Sequence, residues 1–295
     1  MDRNQEGLKE EEEVMGLRIN TNTASLNAQR NLFGTKVALD KSLEKLSSGH
    51  RINRAGDDAA GLAISENLRA QIRGLKQANR NAQDGVSLIQ VAEGGLNEVS
   101  SILIRLRELS VQAASDTIGP VERQFLNVEY DQLVSEIDRI ADGTEFNGTP
   151  LLSGTGSILD FQIGTRNDPN IDRLSFDASK ADSNSAALGV NLTSVADKAS
   201  AQNSLAAIDE AIVSVSAMRA DFGAIQNRLQ STIANLNVSL ENLASANSRV
   251  RDVDVAEETA NFTKNNILTQ AGVSVLSQAN QTANSALTLL NRSFS

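Results

Sequence analysis

The sequence predicts a mainly α-helical protein, a long antiparallel bundle of coiled-coil type formed by the N- and C-terminal halves, with a small β-hairpin region in mid-chain. Three observations predict it. Aromatic residues are scarce, with no Trp, one Tyr and eight Phe among 295 residues. The bulk that rings usually give a globular core must therefore come from Ala and Leu at helical spacing. Positions 208, 212, 215, 219, 222, 226, 229, 233, 236, 240, 243, 247 and 250 keep a strict 4–3 alternation, and ten of these thirteen are apolar. That is a coiled-coil seam, broken only by Arg219, Gln226 and Asn247. Residues 144–200, by contrast, lose helical periodicity and carry two short alternating runs.

In chain order, residues 15–46 are helix-compatible, with apolar Ile19, Leu26, Phe33, Val37, Leu43 and Leu46, until Ser47-Ser48-Gly49 breaks the pattern. A connector over 51–58 ends in Asp57-Asp58, which are helix-capping residues. A helix is then expected over about 59–114. Leu68, Ile72, Leu75, Ala82, Val86, Ile89 and Leu96 carry its seam, which slips at Gly94-Gly95 and resumes as Val99, Leu103, Leu106, Leu109 and Ala113. Such a helix approaches about 80 Å. Pro120 opens the next helix, with Val121, Phe125, Val128, Leu133, Ile137 and Ile140 expected inward and Asp142-Gly143 at its end. Asn147-Gly148 signals a turn, and the runs 158–163 and 171–176 read as a hairpin. A Ser/Asp/Ala-rich loop leads to the heptad helix from about residue 202. Packing the two long helices antiparallel brings both chain ends to one end of the molecule.

Composition excludes several chemistries. Without cysteine there is no disulfide framework, thiolate nucleophile or Cys-based metal site. With His50 the only histidine, no His-based triad or zinc site is expected. Asp57-Asp58 reads as a helix cap rather than a carboxylate pair. Gly154-Thr-Gly156 lacks the third glycine of a dinucleotide loop and precedes a strand. No cofactor, metal site or enzyme is expected. The net charge is −10 with scattered Lys and Arg, so there is no footprint for nucleic acid. No window of about 18 apolar residues suits membrane insertion, and no cleavable signal peptide is apparent. Residues 1–14 hold six acids and two bases, a net −4 that leaves −6 for the rest. They are expected to be a disordered extension, or to precede a true start at Met15.

The ends are unusual physically. From Asn265 to Asn291 there is no charged residue, and 19–29 is uncharged in the same way. Apolar Ile267, Leu276, Leu287 and Leu290 alternate there with Asn, Gln, Ser and Thr. A lone helix of this kind is marginal in water. It can dock on its own domain or pack against copies of itself, and the matching uncharged stretch at the other end favours assembly.

Both ends also resemble the bacterial flagellins. The resemblance rests on Gly16-Leu-Arg-Ile-Asn-Thr-Asn22, Ser25-Leu-Asn-Ala-Gln-Arg-Asn-Leu32, Leu46-Ser-Ser-Gly-His-Arg-Ile-Asn-Arg-Ala-Gly-Asp-Asp-Ala-Ala-Gly-Leu-Ala-Ile64 and Arg80-Asn-Ala-Gln-Asp-Gly-Val-Ser-Leu-Ile-Gln90. Towards the other end it rests on residues 248–261 and on Gln270-Ala-Gly-Val-Ser-Val-Leu-Ser-Gln-Ala-Asn280. It covers about 15–150 and 200–291. It implies a secreted, extracellular subunit that polymerises with copies of itself into the flagellar filament for swimming motility. With only about 55 residues between the two halves, it implies a minimal type without variable outer domains. The implied organisation is a discontinuous inner-core domain, 15–58 with 251–295, and a helical bundle domain, 59–250, with its β element at about 144–200. Ile19, Leu26, Ile267, Leu276, Leu287 and Leu290 are then the expected polymerisation residues.

The implied partners are the type III export apparatus, a flagellin-specific chaperone at the C-terminal helix, and the filament cap and hook–filament junction proteins. Arg105, Leu109 and Gln112, at i, i+4 and i+7 on one helix face, resemble with Glu129 the assembly surface that the vertebrate Toll-like flagellin receptor recognises. The alternative reading is a hook–filament junction protein, which shares similar terminal helices. A cytoplasmic coiled-coil adaptor is a third, against which the self-compatible ends argue. The last residues, Asn291-Arg-Ser-Phe-Ser295, run past the family's usual Leu-Leu finish.

Overall fold

The computed structural model describes residues 21–292, with side chains described through residue 281. Residues 1–14, Met15, Ile19 and 293–295 lie outside the described residues, as do the side chains of Leu287 and Leu290. In order, the elements are α1 (Thr23–Ser48), α2 (Ala59–Ala113), α3 (Pro120–Gly143), β1 (Glu145–Phe146), β2 (Thr149–Pro150), β3 (Ile158–Gln162) and β4 (Arg173–Asp177), then a 3-10 turn (Ala178–Lys180), α4 (Lys198–Arg251) and α5 (Val255–Arg292). The chain divides into two compact units. One combines both ends, up to Ser65 and from Asn247, and the other is Glu66–Ala246.

In the terminal unit, capping residues set the helix limits. Asn22 Oδ1 accepts from Ser25 N at the start of α1, and Gly49, at φ 71°, ends it in the left-handed conformation. Glycine reaches that conformation without a steric penalty. Asp58 Oδ1 accepts from Gly61 N at 2.8 Å and caps α2, as its position predicted. Asp57 instead ties the connector, taking the amides of Asn53 and Arg54. The two connectors run antiparallel and clasp each other: Arg51 N donates to Arg251 O at 2.7 Å, and Val253 N to Gly49 O at 3.1 Å. Asp254 caps α5 through the amides of Ala256 and Glu257.

In the other unit, α2 and α4 run antiparallel. Asn79 pairs with Asn237 at 2.7 Å and Arg107 with Asp209 at 2.7 Å, so numbers rise along one helix as they fall along the other. The expected slip at Gly94-Gly95 does not occur. An unbroken 4–3 alternation of buried positions runs through Ala78, Ala82, Gly85, Ile89, Ala92, Leu96, Val99, Leu103, Leu106, Ser110 and Ala113, with Asn79, Leu88 and Leu109 buried beside it. Small residues hold the seam at Gly85, Ala92 and Ser110, and a count of large apolar residues passes over them. Space explains the glycines. A Cβ on Gly85 would meet the Phe161 ring at 3.1–3.3 Å, and one on Gly95 would meet Leu152 Cδ1 at 2.7 Å.

The expected inward face of α3 is also corrected. Val121, Phe125 and Val128 are exposed, while Tyr130, Ile137 and Ala141 are buried, with Leu126, Leu133, Val134 and Ile140 packed beside the core. Tyr130 sets this face: its buried ring places the hydroxyl 2.5 Å from Thr193 Oγ1, which pins the 190–195 loop onto α3. Both hairpins form. β1 and β2 close around Asn147-Gly148, and β3 pairs antiparallel with β4 from Ile158↔Asp177 to Gln162↔Arg173. Along α4, Ile208, Val215, Phe222, Leu229 and Leu236 are buried at the expected seven-residue interval. Ile212 and Ile233 are only partly buried, and beside Ile212 the small Ala211 takes the fully buried position.

Candidate assembly surface

The terminal unit is built inside out. α1 and α5 pack antiparallel: Asn22 Nδ2 donates to Ala279 O at 2.9 Å, and Lys45 Nζ reaches Glu258 Oε2 at 3.4 Å. Their mutual face sets small and polar residues among a few large apolar ones, Leu32, Leu39 and Leu46 on α1 and Phe262 and Leu276 on α5. On α1, Asn22, Ser25, Ala28, Leu32, Thr35 and Ser42 are half-buried or buried, and on α5 Phe262, Asn265, Thr269, Gly272, Leu276 and Ala279 are half-buried. Ser25 Oγ hydrogen-bonds Asn280 Oδ1 at 3.0 Å, and a Cβ at Gly272 would sit 3.1 Å from Leu32 Cδ1. The small residues let the backbones approach closely.

Many bulky apolar residues point the other way. Leu26, Phe33, Val37 and Leu43 on α1, and Ile267, Leu268, Val273 and Val275 on α5, are exposed, Phe33 at 72%. Leu26 and Ile267 are therefore placed outward as an assembly role requires, whereas Leu276 faces α1. Phe33, Val37 and Leu43 had entered the sequence reading only as helix-forming positions. The signal that places them outside is the Ser/Ala/Thr stripe at 3–4 spacing on the opposite face. Contiguous exposed apolar surface of this kind marks interaction sites.

A second exposed face lies on α2 and α3. Arg105 donates to Glu129 Oε1 from Nε at 3.0 Å and Nη2 at 2.7 Å, and from Nη1 to Glu108 at 3.0 Å. Those hydrogen bonds, chiefly Glu129's, push the guanidinium pKa up, so its charge is fixed. Gln112 is exposed. Leu109 does not share this surface, because it is fully buried, at 0%, in the core beneath. The i, i+4, i+7 spacing selects one side of the helix, but α2 is enclosed over part of that side. Exposed Ile104 and Val111 on α2 supply apolar area, as do Val121, Phe125 and Val128 on α3, the three that the sequence predicts inward.

Among the described residues no three His, Asp or Glu side chains gather as metal ligands, and no helix is long and apolar enough to cross a membrane.

Known proteins carry the same pattern. The family model for the bacterial flagellin N-terminal helical region matches residues 19–157, and that for the C-terminal helical region matches 205–290. A flagellin of Halalkalibacterium halodurans is 49% identical over 272 residues, covering 92% of this chain and 99% of its own. A flagellar filament 33 kDa core protein of Treponema phagedenis is 46% identical over 288 residues, covering 92% and 99%. A structure described as a flagellar hook-associated protein of Vibrio parahaemolyticus aligns at TM-score 0.54, covering 66% of this chain and all of that one. At 15% identity this likeness concerns the fold alone. Matched at both ends by the family models and nearly end to end by a flagellin half identical to it, this chain belongs to the bacterial flagellin family.

Proposed function

We propose that the chain is the structural subunit of a flagellar filament, polymerising with copies of itself through the outward apolar faces of α1 and α5. The inside-out terminal unit carries the proposal. Burying a Phe, Leu, Ile or Val side chain is worth about 1.5–3 kcal/mol, and among the described residues α1 and α5 expose nine such side chains while placing Ser, Thr, Asn and Gly in their own contact. Neighbouring copies with the same faces cover them without charge repulsion, since no charged residue lies between Asn265 and Asn291. The role is structural rather than catalytic. Relatives named as flagellin and as filament core protein support the filament over the junction reading.

The terminal unit serves as the discontinuous inner-core domain of that subunit, and the other unit is its helical bundle domain. The filament lies outside the cell, and the subunit reaches it through the flagellar type III apparatus, with a chaperone on α5 beforehand and the cap and junction proteins as its neighbours. Arg105, Gln112 and Glu129 form part of the contact between subunits and of the face that the Toll-like flagellin receptor reads, with Leu109 supporting them from beneath.

Electron microscopy tests the proposal on chain 15–295, salted out or seeded, beside a chain lacking residues 265–295. Filaments from the first and soluble monomer from the second are expected. Equal polymerisation of both would overturn the role of α5.

A further inference from the structure

The tip of the β1–β2 hairpin is a different kind of site, one where the chain can modify itself. Asn147-Gly148 is the only Asn-Gly pair in the sequence. Both residues are exposed. Asn147, at φ 51°, is the only non-glycine with positive φ among the described residues, and Gly148 follows at φ 76°. Two successive left-handed residues are what a two-residue hairpin demands, so the fold holds this pair here.

We propose that Asn147 is a site of self-deamidation, gated by the closure of the hairpin. The Gly148 backbone nitrogen, its proton taken up by solvent base, attacks Asn147 Cγ. The new N–Cγ bond closes a five-membered succinimide, the Cγ–Nδ2 bond breaks, and ammonia leaves. Water then opens the ring at either carbonyl, giving aspartate or isoaspartate. One ammonia is lost, one water is gained, and a neutral amide becomes a carboxylate beside Glu145. Glycine makes this the reactive pair because no side chain shields its nitrogen.

In the closed hairpin the nitrogen cannot swing onto Cγ. The pairs Phe146↔Thr149 and Glu145↔Pro150 hold the turn, and Leu151 N donates to Thr144 O at 3.0 Å. Leu151 and Leu152, both fully buried, anchor the strands. The reaction therefore counts the time the chain spends with this hairpin open. The aspartate product still fits the turn, since Asp tolerates the left-handed region. Isoaspartate does not, because its extra backbone carbon lengthens a two-residue loop and breaks the register that seats Phe146 against the core.

The test incubates the purified full chain at mildly alkaline pH, folded and in denaturant, and follows tryptic fragment 140–166, in which Asn147 is the only asparagine. In denaturant, Asn147 is expected to convert many-fold faster than the other asparagines, giving both acid mass and an isoaspartyl bond. In the folded chain it is expected to convert many-fold more slowly. Gly148→Ala should slow the denatured reaction many-fold, an arm that needs no folding. Asp142-Gly143 in the same fragment can isomerise only without a mass change, so it cannot mimic the signal. An unconverted Asn147 in denaturant, or an unchanged rate in Gly148→Ala, would overturn the site. Equal rates folded and unfolded would overturn the gate.

Discussion

Gly94 and Gly95 are neighbours in α2 that meet opposite surroundings. A Cβ on Gly94 finds nothing within 4 Å, while one on Gly95 runs into buried Leu152 and into Thr144. Gly94→Ala is therefore expected to stabilise the protein by about 0.5–1 kcal/mol through helix propensity. Gly95→Ala, which gains the same propensity, should lose about 1–3 kcal/mol to overpacking. Urea unfolding midpoints of the two variants check this, and equal shifts would contradict the packing. Asp58→Ala, without its cap on Gly61, should cost about 1 kcal/mol by the same measurement. Acid should act at Asp197, whose carboxylate takes the Ser200 amide and hydroxyl at the start of α4 and is held below its ordinary pKa chiefly by that amide. A lowered folded-state pKa gives stabilisation that is present above the unfolded value of about 3.9 and is lost as pH falls through the folded one. The stability difference between the native chain and Asp197→Asn should therefore shrink as pH drops from neutral to below that range. The caps were legible residue by residue, since Asp58, Gly49 and Pro120 each announce a helix limit. The role of Gly95 was not, because it depends on Leu152, distant in sequence.

Among the elements, legibility followed whether a helix hides its large residues. In α4 it does, and Ile208, Val215, Phe222, Leu229 and Leu236 are buried at the interval that the heptads predict. In α1 and α3 the rule inverts. Phe33 and Phe125, at 72% and 71% exposed, are apolar residues at helical spacing, yet the inward sides of their helices run through Ser25, Ala28 and Ser42, and through Tyr130 and Ala141. Periodicity finds an apolar stripe but cannot tell a core from an interface. Phe33→Gln combined with Ile267→Gln should leave the unfolding midpoint of the monomer within about 0.5 kcal/mol of the parent and abolish seeded polymerisation, read by sedimentation. A large loss of monomer stability would mean that those side chains are packed within the chain. Glu129→Ala, which frees Arg105 from its main partner, should weaken activation of receptor-bearing reporter cells by purified monomer, and an unchanged response would remove that surface from the receptor contact.

At the scale of the whole molecule, the helical class, the mid-chain hairpins and the pairing of the two ends could all be read from composition and period, because each follows from local pattern. The clasp between connectors could not, since its two backbone bonds, Arg51 N to Arg251 O and Val253 N to Gly49 O, carry no side-chain signature. It has a kinetic consequence. The terminal unit is held by contacts such as Asn22 with Ala279 and Lys45 with Glu258, which lie 257 and 213 residues apart. Closing loops of that length is slow. While the chain is being made, α1 has no partner for most of synthesis, because α5 is the last helix to appear. The first helix to leave the ribosome is thus among the last to find its place, and it stays open to capture until the chain is complete.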